Sequence, residues 1–168
     1  MDKRLTVREV VLFGVLGALT FALQVAMAGL PNIEPVSLLV MLFAVTFGWK
    51  SLYPVYVFVV MEIFFYGFST WNIYYFYVWT ILAVAAILMR NMEGVLGWAI
   101  LSAVFGLAFG ALCGVVDIFI GGWEYALAKW ISGIPFDVLH CGGNFVITLI
   151  MWKPMKKVMG KLYAGMKH

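Results

Sequence analysis

Six apolar runs punctuated by short polar turns constrain this chain more than any other feature of its sequence. They cover residues 7–28, 36–48, 52–68, 73–89, 95–116 and 131–152, with breaks at Gly29 to Asn32, Trp49 to Ser51, Ser69 to Asn72, Arg90 to Glu93 and the Gly121-Gly122 pair. A membrane-spanning helix takes about 20 residues. The chain has 168 residues, 65% hydrophobic and only 11% charged. That balance excludes a soluble single domain and predicts an all-α membrane protein, a compact bundle of six transmembrane helices in one integral membrane domain over 1–168. No soluble domain is expected, so any ATPase must be another chain. The opening MDKRLTVREV is basic and runs into apolar sequence without a clear cleavage site, which reads as a first helix and not as a removed signal peptide.

The net charge of +3 is a matter of flanks and does not point to nucleic acid. With six spans and the N-terminus inside, cytoplasmic segments hold Lys3, Arg4, Arg8, Lys50, Arg90, Lys153, Lys156, Lys157, Lys161 and Lys167, ten of the eleven basic residues. Only Lys129 falls outside, beside Glu124. The positive-inside rule is then met almost completely, with both termini cytoplasmic. The second run is short, near 20 Å long. If it did not span, Lys50 and Arg90 would change sides and the asymmetry would collapse.

Within the sixth run the stretch GIPFDVLHCGGN, 133–144, carries Asp137, His140 and Asn144. With Gly133 and Thr148 they fall on a helical stripe about 80° wide. Ionisable groups in hydrocarbon cost roughly 2.5–3.5 kcal/mol each on insertion scales, so they face a bundle interior or a wet cavity and mark a functional site. Glu62 in the third run is a second buried charge. Asn72 and a dense aromatic cluster, Trp71, Tyr74, Tyr75, Phe76, Tyr77 and Trp79, open the fourth. Part of that cluster suits an interfacial belt, and six aromatics in nine residues exceed what a belt needs, which suggests ligand stacking. The 118–130 segment, with Trp123, Glu124, Tyr125 and Lys129, reads as an amphipathic outer loop lying over the bundle mouth. Asp137 lies about 9 Å and Asn144 about 20 Å below the outer end of the sixth helix. Glu62 and Gln24 lie at similar depth, so the polar groups converge in the outer leaflet around a small-molecule site.

Blander readings exist for the same residues. Asp137 and His140 can tie helices together, and Asn144 can serve as interhelical glue. A proton path needs titratable groups at several depths, and the inner halves of these helices carry none. Cys113 and Cys141 lie in apolar context as small buried side chains. Cys141 points about 100° away from His140 on a helix, so no metal site, disulfide or cofactor is expected.

On these residues the chain resembles a substrate-binding S-component of an energy-coupling factor transporter. The likeness rests on six compact helices, on the VREVVLFGVLGALTFAL segment with Gly14 and Ala18 at the place of that family's small-residue motif, and on the polar sixth helix. Gly14 stands where alanine is more usual. The resemblance implies a prokaryotic plasma-membrane subunit of an ABC importer that captures a water-soluble vitamin or related micronutrient. It also implies a transmembrane coupling subunit held by the Gly14, Ala18 and Ala22 face, two cytoplasmic ATPases, and delivery by toppling in the membrane. Trp123 and Glu124 would cap the pocket; Asp137, His140 and Asn144 would line its floor. The two buried acids argue against a strongly anionic ligand, and the Trp and Tyr stack favours a ring system: a cobalamin or its precursor, a pyridoxine-like ring or a modified nucleobase. Two other classes remain open, a membrane accessory or assembly subunit with a structural polar face, and an intramembrane Asp137/His140 enzyme. The enzyme reading lacks a nucleophile, since Ser132 precedes the helix face and no G-x-S-x-G occurs.

Overall fold

The computed structural model describes residues 5–30 and 33–166, which fold entirely as helices and turns. Lys3, Arg4 and Lys167 of the charge pattern, and Pro31 and Asn32 of the first break, lie outside the described residues. Helix α1, Val7–Ala26, opens on a capping box in which the Thr6 hydroxyl accepts from Glu9 N–H and the Glu9 carboxylate accepts from Thr6 N–H at 2.9 Å. Helix α2, Val36–Phe47, is apolar on all sides, and every residue from Val36 to Ala44 is buried. A helix hydrophobic all round belongs in an interior. Gly48 stops it at φ +59°, a region glycine enters without strain. One 3-10 turn, Gly48–Ser51, leads into α3, Leu52–Tyr66. Pro54 sits in the first turn of α3, where its missing N–H leaves no helical bond unmade. Helix α4, Thr70–Leu88, begins with a second capping box between Ser69 and Asn72. Helix α5, Val95–Met166, is helical throughout except at Gly122, where φ +80° and ψ −179° break it.

Contacts give the direction of each element. Glu9 pairs with Lys50, Phe13 stacks on Tyr53 at 6.0 Å, and Phe21 meets Phe65 at 5.3 Å, so α1 and α3 run parallel. Gly17 lets them touch: a Cβ there would lie 2.6 Å from the Val57 side chain and 2.7 Å from Pro54 O. Tyr56 with Thr80, and Phe58 with Tyr75, set α4 antiparallel to α3. The two arms of α5, 95–121 and 123–166, form a ladder: Asp117 to Lys129, Gly110 to Asp137, Ser102 to Asn144 and Trp98 to Trp152. As one index falls the other rises, so the chain doubles back at Gly122. Trp98 and Trp152 close the far end of the ladder, stacked at 4.4 Å. Helix α2 is packed between α4 and α5.

Four helical stretches are long and apolar enough to cross a membrane: Val7–Ala26, Val36–Tyr66, Thr70–Leu88 and Val95–Gly165. The chain is therefore all-helical and has the makings of a multi-pass membrane protein.

Three expected boundaries change. The 118–130 segment is helix on both sides of Gly122 and not a loop, because of its two glycines only Gly122 leaves helical geometry. The last helix does not end at 152 but runs through Pro154 to Met166, its lysine-rich tail keeping helical geometry beyond the apolar run. Helix α4 starts at Thr70, three residues before the expected 73, because Ser69 and Asn72 cap it there.

Candidate functional site

The stripe on the second arm of α5 turns inward, as its polarity requires. Asp137, His140, Asn144 and Thr148 are all buried while their neighbours Val138, Leu139 and Val146 are exposed. Three of the four meet a small or aromatic partner on the first arm. Asp137 Oδ1 accepts from Gly110 N–H at 3.1 Å. His140 lies edge-on to Phe109 at 5.1 Å and Phe105 at 6.4 Å. Asn144 Nδ2 donates to Ser102 O and to Ser37 Oγ of α2, both at 3.0 Å. Gly106 makes this approach possible, since a Cβ there would sit 2.8 Å from the His140 carbonyl carbon. The small residues of the fifth run thus admit the polar stripe.

An aromatic wall continues the site toward α3 and α4. Trp79 is fully buried and touches Phe105, Phe109, Phe58 and Tyr75, at centroid distances of 5.6, 5.7, 6.2 and 5.6 Å. The Tyr75 hydroxyl accepts from Gln24 Nε2 at 3.3 Å, which brings the end of α1 to the start of α4. Glu62 is buried in the last turns of α3. Glu34, just ahead of α2, joins the same corner: burial, and after it the Glu62 carboxylate, push its carboxyl up to about 7.

What sets this region apart is the number of buried polar atoms without a protein partner. They include Glu62 Oε1, Trp79 Nε1, Asp137 Oδ2, His140 Nε2, Asn144 Oδ1, Ser102 Oγ and Thr148 Oγ1. Each such atom costs about 1–3 kcal/mol, and native interiors contain few. These seven atoms and the aromatic wall define the candidate chamber, whose donors and acceptors are left without a protein partner.

Not every predicted residue joins it. Asn72 is buried as a capping residue, its Oδ1 accepting from Ser69 N–H at 2.6 Å, which commits it to helix structure. Trp71 is exposed, touching Tyr74 and Tyr75 only by ring edges. Trp123 and Glu124 are exposed beside the Gly122 turn and meet none of the chamber residues. Lys129 does not pair with Glu124. It reaches Asp117 at 2.8 Å and the Tyr74 hydroxyl at 2.8 Å, over the Tyr74 ring, and Tyr74 donates to Asp117. This triad, buried at Tyr74 and Asp117 and half-exposed at Lys129, escaped sequence reasoning because Asp117 marked a helix end and Lys129 lay twelve residues away. Glu34, Ser37, Ser102, Phe105 and Phe109 were likewise not singled out as site residues. Ser102 stands in a row of small residues, Gly97, Ser102, Gly106 and Gly110, whose spacing signals close helix packing, and the others carry no signal in the sequence.

On α1, Gly14 has no atom within 4 Å of a built Cβ, Ala18 is partly exposed and Ala22 exposed, so this face is not used within the chain. Gly17, one residue off that row of three, makes the internal seam. Two open clefts lie at the opposite, basic end. One of about 720 Å³ is lined by Arg90, Trp98, Trp152 and Lys156, the other of about 540 Å³ by Leu12, Val158 and Lys161. Among the described residues no cluster of His, Cys, Asp and Glu has metal-holding geometry. Comparison with family models, with curated proteins and with solved structures finds no match for the chain.

Proposed function

We propose that this protein is the substrate-capture subunit of an energy-coupling factor importer, binding a water-soluble vitamin or related micronutrient in the aromatic chamber. The observation that carries the reading is the set of unpartnered buried atoms on Asp137, His140, Asn144 and Trp79, the first three along one buried face of the second arm of α5. A purely structural polar face would pair these groups with one another, since each one left open weakens the fold.

The same reading takes the chain across a prokaryotic plasma membrane six times, with both termini in the cytoplasm. The doubling back at Gly122, which makes two passes of α5, and the break at Gly48 support that count. The basic clefts at the other end from the chamber support the orientation under the positive-inside rule. The outward-open face of Gly14, Ala18 and Ala22 is where a transmembrane coupling subunit would pack, small residues allowing close helix approach, and two ATPase subunits would complete the importer. The protein itself is then a binder that topples to deliver its load and not an enzyme. The ring wall favours a cyclic ligand such as a cobalamin precursor, a pyridoxine-like ring or a nucleobase-like compound.

The test is mass spectrometry of small molecules retained by the detergent-purified protein, with a His140→Ala/Asn144→Ala double variant as control. A ring-bearing micronutrient held by the wild type and absent from the variant is the expected result. If the wild type retains nothing and added vitamins leave its melting temperature unchanged, the accessory-subunit reading replaces this one.

A further inference from the structure

We infer that Glu34 and Glu62 together form the subsite for a positively charged group on the captured ligand. The inference rests on the capture reading and adds the charge class of the substrate: an aromatic heterocycle bearing a protonated amine, an amidinium or a quaternary ring nitrogen.

Glu62 is 7% exposed, and its Oε1 has no hydrogen-bond partner. Glu34 follows Ile33, which packs against Gly143 beside Asn144, and the Glu62 carboxylate disfavours its charge after burial does. The segment that carries Glu34 is seated against the second arm of α5, since a Cβ on Gly143, next to Asn144, would meet Ile33 Cγ1 at 3.2 Å. In the same corner Gln24 spends its amide N–H on Tyr75 and leaves Oε1 unpartnered. The corner is therefore made of acceptors. Two like charges in a largely buried corner repel and are poorly solvated, and either a proton or a cation relieves them.

Among the described residues no cation is paired with either acid: the ion pairs are Lys50 with Glu9, at the far end of α1, and Lys129 with Asp117. A ligand cation would instead meet two carboxylates beside the half-buried ring of Tyr75, which is backed by Phe58 at 5.9 Å. Aromatic faces attract cations most when water is excluded. The ring wall at Trp79 is then left for the uncharged body of the ligand.

The experiment is quantitative mass spectrometry of molecules retained by the full-length wild type and by Glu34→Gln and Glu62→Gln, purified identically, with the melting temperature of each recorded. The expected result is a retained ring compound carrying a positive charge at neutral pH, reduced at least tenfold in both variants, while each variant melts at or above the ligand-free wild type. Higher melting with lost ligand separates a binding role from a structural one. A retained compound that is neutral or anionic overturns this inference and leaves the capture reading standing, as does undiminished retention by the variants. If the wild type retains nothing, both readings fall. Should a variant fail to fold, the charge of the molecule held by the wild type still decides.

Discussion

Replacing Gly106 with alanine tests whether the two arms of α5 meet as closely as the site requires. The added Cβ would lie 2.8 Å from the His140 carbonyl carbon, 2.9 Å from Cys141 N and 2.9 Å from His140 O. All three are backbone atoms of a helix and cannot swing aside. Carbon atoms rest at about 3.5 Å or more, so the arms must part by roughly 0.7 Å, a gap that forfeits a quarter to a half of each dispersion contact it opens. Overpacking of a tight interior costs about 1–3 kcal/mol. The strained contact here is backbone, so the upper part of that range applies, offset by up to about 1 kcal/mol of improved helix propensity. A net loss near 2 kcal/mol lowers the melting temperature by about 4–8 °C for a chain of this size. The matched control is Gly114→Ala, two turns further along the same arm, where a Cβ meets nothing within 4 Å. Thermal melts of the detergent-purified protein, followed by intrinsic tryptophan fluorescence, should show the Gly106 variant falling and the Gly114 variant unchanged or slightly raised. Equal melting temperatures for the two would refute the close approach, and with it the assignment of His140 to the interior.

Three other outcomes are expected. Trp152→Ala removes one partner of the indole stack on Trp98 from a site where both rings are buried, and a loss of about 3–5 kcal/mol should appear as a marked fall in melting temperature, with Trp152→Phe recovering part of it. Within the outer triad, Lys129→Met should destabilise more than Asp117→Asn. Asp117 is 3% exposed and Lys129 39%, and a buried carboxylate stripped of its partner costs about 3 kcal/mol or more while a half-exposed ammonium finds water; the reverse order would sink the account of the triad. Glu34 gives a pH dependence. Its folded carboxyl titrates near 7 against the usual 4.5, because burial and then Glu62 disfavour the charge. The folded state therefore holds the proton more tightly, and the stability present below pH 4.5 is lost as pH climbs from 4.5 to 7. At 1.36 kcal/mol per unit the loss is on the order of 3 kcal/mol, discounted for the partial exposure of Glu34. Ligand-free wild type should melt lower at pH 8 than at pH 5, and Glu34→Gln should flatten the difference; parallel slopes would contradict it.

Much of the fold was legible because hydrophobic length is a strong signal. The starts of α1, α2, α3 and α5 lie where the apolar runs begin, and the stripe of Asp137, His140 and Asn144 faces inward because its spacing leaves it no other economical direction. What escaped was decided by contacts between distant residues. Nothing local to Ser37 says that it will accept from Asn144 across 107 residues, and nothing in the 33–35 segment marks Glu34 as a neighbour of Glu62. Polar residues near helix ends also misled: Asn72 has the chemistry of a ligand contact but lies at the third position of a helix, where a capping box uses it. The 118–130 segment was misread because amphipathic helix and outer loop share a composition, and only the backbone at Gly122 distinguishes them.

The turn at Gly122 also sets the order in which the molecule can assemble. Closing a loop costs entropy that grows with its length. Asp117 with Lys129 closes the shortest loop of the α5 ladder, Gly110 with Asp137 the next, Ser102 with Asn144 the next and Trp98 with Trp152 the longest, each prepared by the one before it. The two arms can zip from the turn as a fast, local event of the kind that low contact order favours. The bond from Asn144 to Ser37 waits for α2, made far earlier in the chain, to find its place against a finished hairpin. The chamber is then the last part of the protein to mature, and in pulse-labelling of refolding chains the amides of α2 should gain protection after those of the two arms.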